Sequence, residues 1–187
     1  MSLKEQLQAD LKTAMLSKQE LRRDVIRFTQ AALKNAELAK HQKLVKERSH
    51  LWQTGEVDAD GNRIINEAEL EKQRAEIDKL TPLTDEEQLA VLTTEVKRRR
   101  ETIADAEKAG RADLIAREQA ELEVVLGYLP RQMSREEVTT TAQHVIAEVG
   151  AKGPQDTGKV MGKLMPQLKG KADGKMISEV VKELLAP

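Results

Sequence analysis

The sequence of 187 residues contains no cysteine and only three aromatic side chains, one each of Trp, Tyr and Phe. The absence of cysteine excludes disulfide bonds, thiolate catalysis and cysteine-ligated metals, and it is typical of a reducing compartment. With so few aromatic rings, a core must be built from Leu, Val, Ile, Ala and Met. The stacking platforms that bind single-stranded nucleic acid are also missing.

The chain has almost no net charge, because 31 Lys and Arg residues oppose 32 Asp and Glu residues. An anionic partner would therefore have to meet a local basic patch. The sequence lacks an apolar run long enough to span a bilayer, and its first residues, MSLKEQLQAD, are charged too early for a signal peptide. We therefore expect a soluble, cytoplasmic protein without a membrane partner.

Charged and aliphatic segments with helical periodicity predict an all-α protein. Capping boxes begin at Ser2, Thr84 and Ser134, each followed three residues later by Glu. The first helix is predicted from about Leu3 to Leu16, and a second helix follows directly.

A tight loop or short hairpin is predicted after the second helix. Gly55 and residues 60–62 carry turn chemistry, and helical periodicity then returns through Ile65, Leu70 and Ile77. Near the middle of the chain, Pro130 forces the preceding residue out of helical geometry and predicts a domain boundary. Three short apolar stripes follow it, which predicts a minimal three-helix bundle.

The densest basic run is Lys97–Arg100, in a predicted helix. Helical geometry places Arg99 and Arg100 on the two borders of the apolar stripe, while Arg98 points away from it. Arg99 is expected to pack its stem on the core and to meet a carboxylate, with Glu118 or Glu121 as candidates. A phosphate contact from Arg98 is the alternative.

The segment GKVMGKLMPQLKGKADG, residues 158–174, has the most unusual composition. On a helix, Gly158, Gly162, Lys159 and Lys163 lie opposite an apolar stripe. Because Gly costs about 1 kcal/mol against Ala inside a helix, the pattern indicates close approach of another backbone, and the local excess of lysine indicates a polyanion. The alternative is an ordinary solvated face, in which the later glycines end one helix and start the next.

The segment GKVMGKLMPQLKGKADGKMISEVVKELL resembles the C-terminal signature of the GatB/YqeY family. The segments VKRRRETI, AGRADLIAREQAEL and GYLPRQMSREEV resemble the middle portion of that family. The chain is similar to a stand-alone YqeY-like protein, a relative of the tail domain of the GatB subunit of aspartyl/glutamyl-tRNA amidotransferase.

The resemblance implies an N-terminal helical domain at residues 1–130 and a three-helix bundle at residues 131–187. In YqeY-like chains the second helix runs almost directly into a Leu-Thr-Asp-Glu-Glu start, found here at Leu83–Glu87. Residues 43–81 therefore look inserted, and we expect them to form a projecting helical hairpin.

The tail in this family is understood to contact tRNA, so the resemblance implies a non-catalytic protein that binds tRNA or another structured RNA. The candidate RNA-binding residues are Lys159, Lys163, Lys169, Lys171, Lys175, Gly158, Gly162, Gly170 and Arg98. One alternative is a protein-interaction module or accessory of the amidotransferase, with a partner helix on the glycine face. A further alternative is the family-level activity of a carbon-nitrogen ligase with glutamine as amido-N-donor.

No recognisable catalytic motif accompanies that label. The sequence contains no H-E-x-x-H, G-x-x-x-x-G-K-[ST] or G-x-S-x-G pattern. His41, His50 and His144 are interpreted as solvated side chains. Asp58–Asn62 is similar to a calcium loop, but its glycine comes too early and the closing Glu is missing. We expect no catalytic residue, metal or cofactor.

Overall fold

The computed structural model describes residues 2–186, and within this range the chain forms eight α-helices and one two-stranded antiparallel sheet. The helices are α1 (Leu3–Leu16), α2 (Glu20–Arg48), α3 (Glu67–Leu80), α4 (Asp85–Lys108), α5 (Ala112–Leu126), α6 (Arg135–Val149), α7 (Thr157–Leu168) and α8 (Gly174–Leu184). The strands β1 (Gln53–Val57) and β2 (Arg63–Ile65) lie between α2 and α3 in the chain. The predicted all-α class is confirmed.

The chain divides into two compact units, residues 1–91 and residues 92–187. The units are defined by their internal contacts, and α4 contributes residues to both. The domain division at residue 130 and the insertion at residues 43–81 stay predictions.

The first unit is built on α1 and α2, which pack on each other. The capping box at the start of α1 is formed as predicted: Ser2 Oγ accepts from the Glu5 backbone N–H, and the Glu5 carboxylate accepts from the Ser2 backbone N–H. The predicted bounds of the first helix are confirmed. The buried aliphatic side chains of this pair are Leu7, Ala14, Val25, Ile26 and Leu33.

The predicted short hairpin is confirmed in β1 and β2, which pair Gln53 with Ile65 and Val57 with Arg63. In its loop, Asp58 Oδ1 accepts from the backbone of Asp60 and Asn62, at 2.9 and 2.8 Å. Ile65 was expected in the following helix, but it belongs to β2. The helix begins only after Asn66, whose side chain caps it by accepting from the Glu69 backbone N–H.

In the second unit, α6, α7 and α8 enclose one aliphatic core. Its fully buried members include Val138, Ala142, Val145, Val160, Leu164, Leu168, Ile177, Val180 and Val181. α6 begins at the predicted capping box of Ser134 and Glu137 and ends at Gly150, whose φ is +65°. α7 continues two residues beyond Pro166, near which a bend or an end was expected.

Candidate nucleic-acid interface

The exposed side of α7 carries two glycines. The opposite side buries Val160, Leu164 and Leu168 in the core. Gly158 and Gly162 are exposed, and a Cβ added to either would meet nothing within 4 Å. Neither glycine has a positive φ. Neither the packing nor the backbone conformation of the chain therefore requires glycine at these two positions.

Lys159 and Lys163 lie on the flank of α7 that faces the end of α6. Lys159 Nζ donates to the carbonyl of Val149 at 2.6 Å, and the Lys163 ammonium pairs with the Glu148 carboxylate. Both acceptors belong to the last turn of α6, where a helix carries partial negative charge. The sequence indicated the exposure of these lysines, but it did not reveal their partners.

Such exposed contacts are weak, because a surface ion pair contributes about 0–1 kcal/mol. Lys163 and Glu148 remain 45% and 57% exposed in their side chains. A phosphate group that approached α7 could therefore replace the carboxylate as the partner of this lysine at little cost.

The connection between α7 and α8 is anchored by backbone hydrogen bonds. The carbonyl of Gly170 accepts from Gln132 Nε2 at 2.8 Å, and the carbonyl of Lys171 accepts from the Met133 backbone N–H at 2.7 Å. Gly170 is buried and has a φ of +73°, a conformation that glycine adopts without strain. Gly170 thus shapes the turn and does not offer an open backbone as Gly158 and Gly162 do.

The three remaining lysines, Lys169, Lys171 and Lys175, are all exposed. Lys169 takes part in an interaction within the chain. The ammonium groups of Lys171 and Lys175 form no hydrogen bond or ion pair with any residue in the range 2–186. These two lysines are the candidates that are most accessible to a phosphate.

Asp173 separates the two accessible lysines and caps α8. Its Oδ1 accepts from the Lys175 backbone N–H at 2.8 Å, and its Oδ2 accepts from Arg100 Nη1 at 3.0 Å. Burial alone would raise the pKa of Asp173. The backbone donors of Lys175 and Met176, together with Arg100, outweigh burial and lower the pKa below its usual value. The carboxylate is therefore held ionised and occupied.

A groove of about 400 Å³ lies beside this carboxylate, between α4 and α8. Basic and acidic side chains line it together: Lys97, Arg100, Glu101, Asp173, Lys175 and Glu179. Because the two signs of charge alternate, the groove does not form a positive pocket of its own. Lys175 reaches solvent at its edge.

The basic run on α4 divides as predicted. Arg99 is buried, and its Nη1 donates to Glu118 Oε2 at 2.9 Å and to Glu121 Oε2 at 2.5 Å. Both predicted carboxylates are therefore its partners. Arg98 is 67% exposed in its side chain and pairs with Glu95 on the same helix at 2.8 Å, so a phosphate contact from Arg98 stays a prediction.

The described residues contain no group of three or more His, Asp and Glu side chains arranged to hold a metal ion. Over residues 2–186, none of the helices combines the length and the apolar character needed to cross a membrane. The exposed surface of α7 and its connection to α8 is thus the candidate site with the clearest sequence signal.

These features define a class of small helical proteins that end in a compact three-helix bundle with an exposed glycine and lysine surface. The sequence model of the family described as Yqey-like protein matches residues 56–185. The match covers more than half of the chain, and the chain belongs to this family.

A curated relative supports the same assignment. The chain is 38% identical over 55 residues to a protein of Aeropyrum pernix that is named as one of the subunits of glutamyl-tRNA(Gln) amidotransferase. The aligned segment makes up 27% of this chain and 9% of the relative, so the chain spans only a small part of that protein's length. The predicted relationship to the tail of the amidotransferase subunit is confirmed.

Proposed function

We propose that the bundle of α6, α7 and α8 binds structured RNA, above all tRNA, through the exposed side of α7 and the connection to α8. The observation that carries this proposal is the open helix surface at Gly158 and Gly162, with lysines beside it. The name of the curated relative, which refers to glutamyl-tRNA(Gln), supports tRNA as the RNA.

The glycines support the proposal energetically. Each glycine inside a helix costs about 1 kcal/mol against alanine, and nothing within 4 Å of Gly158 or Gly162 would obstruct a Cβ. A binding partner that approaches the helix backbone gives these glycines a purpose that the folded chain alone does not. A sugar-phosphate backbone is such a partner.

The lysines supply the charge for this contact. Lys171 and Lys175 have free ammonium groups within the described part of the chain, and Lys159 and Lys163 can exchange weak partners on α6 for phosphates. Structured RNA is recognised largely through shape, phosphates and 2′-hydroxyl groups. This mode suits a surface without aromatic rings.

A filter-binding or fluorescence anisotropy titration tests the proposal, with folded tRNA and unstructured RNA of equal length as ligands. We expect tighter binding of tRNA and a strong decrease in affinity as salt rises. A triple variant with Lys159, Lys163 and Lys171 each changed to Ala should bind more weakly. A control triple variant, with Lys12, Lys43 and Lys72 each changed to Ala, removes the same charge from the first unit and should bind normally.

Equal binding of tRNA and unstructured RNA would refute the proposal, as would unchanged binding by the Lys159, Lys163 and Lys171 variant. A protein partner is the second candidate, because Met165 is 39% exposed next to the glycine surface on α7. Flexible methionine side chains are common on surfaces that receive partner helices. Salt-insensitive co-purification with a protein, lost in the variant Gly162→Leu, would favour this candidate.

A further inference from the structure

A cavity of about 510 Å³ opens in the first unit between α2 and α3. It is lined by His41 and Val45 from α2, by Leu70, Arg74, Ile77 and Asp78 from α3, and by Trp52 from the segment between them. Cavities that bind small molecules in proteins span roughly 300–1,000 Å³ and combine an apolar lining with a few polar groups. This cavity fits that description.

The apolar part of the lining is fixed in place. Ile77 is 2% exposed and Trp52 is 9% exposed, so both are held by the packing of the unit. The backbone of Trp52 is also fixed, because its carbonyl accepts from the Asn66 backbone N–H at 2.8 Å. The indole and the neighbouring aliphatic side chains therefore form a preorganised apolar wall.

The polar part of the lining is unsatisfied by the protein. The side chains of His41, Arg74 and Asp78 make no hydrogen bond or ion pair with any residue between 2 and 186. Arg74 and Asp78 lie one turn apart on α3, a spacing at which opposite charges can meet, yet they are not paired with each other.

Other charges on α3 do have partners at this spacing or a similar one. Lys72 Nζ lies 3.4 Å from Glu69 Oε2, and Lys79 Nζ lies 3.0 Å from Glu76 Oε1. The unpaired positive and negative charges of this helix at the cavity thus contrast with the local ion pairs around them.

We infer that this cavity binds a free aromatic α-amino acid. The carboxylate of such a ligand would bind the Arg74 guanidinium, its ammonium group would bind the Asp78 carboxylate, and its ring would pack on Trp52. Arginine is suited to bidentate recognition of a carboxylate, and ring pairs add to the burial of apolar surface. His41 faces the cavity from α2 and offers a further polar contact.

The pair of opposite charges selects this class of ligand. Asp78 repels a phosphate or a simple carboxylate, and Arg74 repels a simple amine, so only a molecule with both charges satisfies both side chains. The inference concerns the first unit alone, and it stands or falls independently of RNA binding.

Trp52 provides a direct measurement, because it is the only tryptophan in the chain. The full-length protein is excited selectively at tryptophan and titrated with L-phenylalanine, and isothermal titration calorimetry is run in parallel. We expect a saturable change in emission with a matching heat of binding. Phenethylamine lacks the carboxylate and 3-phenylpropionate lacks the ammonium group, so each should bind about ten- to a hundredfold more weakly.

Variants then assign the binding to the two charges. Arg74→Gln and Asp78→Asn should each weaken binding of L-phenylalanine about ten- to a hundredfold. The control Lys79→Gln changes an exposed charge of the same helix and should bind normally. Circular dichroism confirms that each variant is folded.

Three results would overturn the inference. The first is the absence of both an emission change and a heat of binding with L-phenylalanine. The second is equal affinity for L-phenylalanine and its two singly charged analogues. The third is binding that remains unchanged in Arg74→Gln and Asp78→Asn.

Discussion

Arg100 Nη1 lies 3.0 Å from Asp173 Oδ2, which joins α4 to the first turn of α8 across 73 residues of sequence. The same carboxylate caps α8 through the backbone N–H groups of Lys175 and Met176. Asp173 thus fixes the position from which Lys171 and Lys175 extend. The geometry of the proposed RNA surface depends on this residue, although Asp173 itself is acidic.

The variant Asp173→Ala should destabilise the protein by about 1–2 kcal/mol, because the cap of α8 is lost. Asp173→Asn retains a side-chain oxygen for capping and loses only the pair with Arg100, which is 37% exposed, so it should cost less than about 1 kcal/mol. Urea denaturation at neutral pH measures both. Equal losses in the two variants would show that the ion pair, and not the cap, determines the effect.

The stability of the protein should fall in acid partly through Asp173. Its pKa is lowered in the folded protein because the backbone donors and Arg100 outweigh burial, so the stabilisation is present above the unfolded pKa of about 3.9 and is lost as pH falls through the folded value. Urea denaturation between pH 6 and about pH 2.5 should show a shallower loss of stability in Asp173→Asn than in the natural protein. Parallel curves for the two proteins would contradict this assignment.

The buried ion pairs of Arg99 should be sensitive to its removal. Arg99→Ala leaves the Glu118 and Glu121 carboxylates, 18% and 12% exposed, without their shared cation, and should destabilise the protein by about 3–5 kcal/mol. The matched control is the adjacent Arg98→Ala, which breaks an exposed pair with Glu95 and should cost less than about 1 kcal/mol. Thermal and urea unfolding compare the two, and similar losses would contradict the difference in burial.

The glycines of α7 should respond to alanine with increased stability. Gly158→Ala and Gly162→Ala each add a Cβ to open space and should stabilise the protein by about 0.5–1 kcal/mol. Gly150→Ala is the control of opposite sign, since its φ of +65° is unfavourable for alanine and the change should destabilise by about 1 kcal/mol. If RNA approaches the α7 backbone, the two stabilised variants should bind tRNA more weakly.

Much of this fold could be predicted because its determinants are local. The Ser2 and Glu5 capping box defines the start of α1, and the turn residues around Gly61 define the β-hairpin. The contact of Arg99 with Glu118 and Glu121 could also be predicted, because helical geometry places this arginine on the border of an apolar stripe.

Features that depend on the packing of distant segments could not be predicted. The pairing of Arg100 with Asp173 and the position of Lys159 beside the carbonyl of Val149 both depend on how helices meet in space. The cavity at Trp52 likewise exists only once α2 and α3 pack. An aspartate before Gly174 signals a helix cap in the sequence, but it does not identify the arginine that reaches this cap.

The salt dependence of tRNA affinity tests the central claim most directly. Binding is measured by fluorescence anisotropy over a series of salt concentrations for the natural protein, Lys171→Ala, Lys175→Ala and the control Lys12→Ala. The proposal predicts a linear decrease of log affinity with log salt concentration, with the slope reduced by about one in each of the first two variants and unchanged in the control. A salt-independent affinity, or equal slopes in all four proteins, would contradict the claim that this surface binds RNA phosphates.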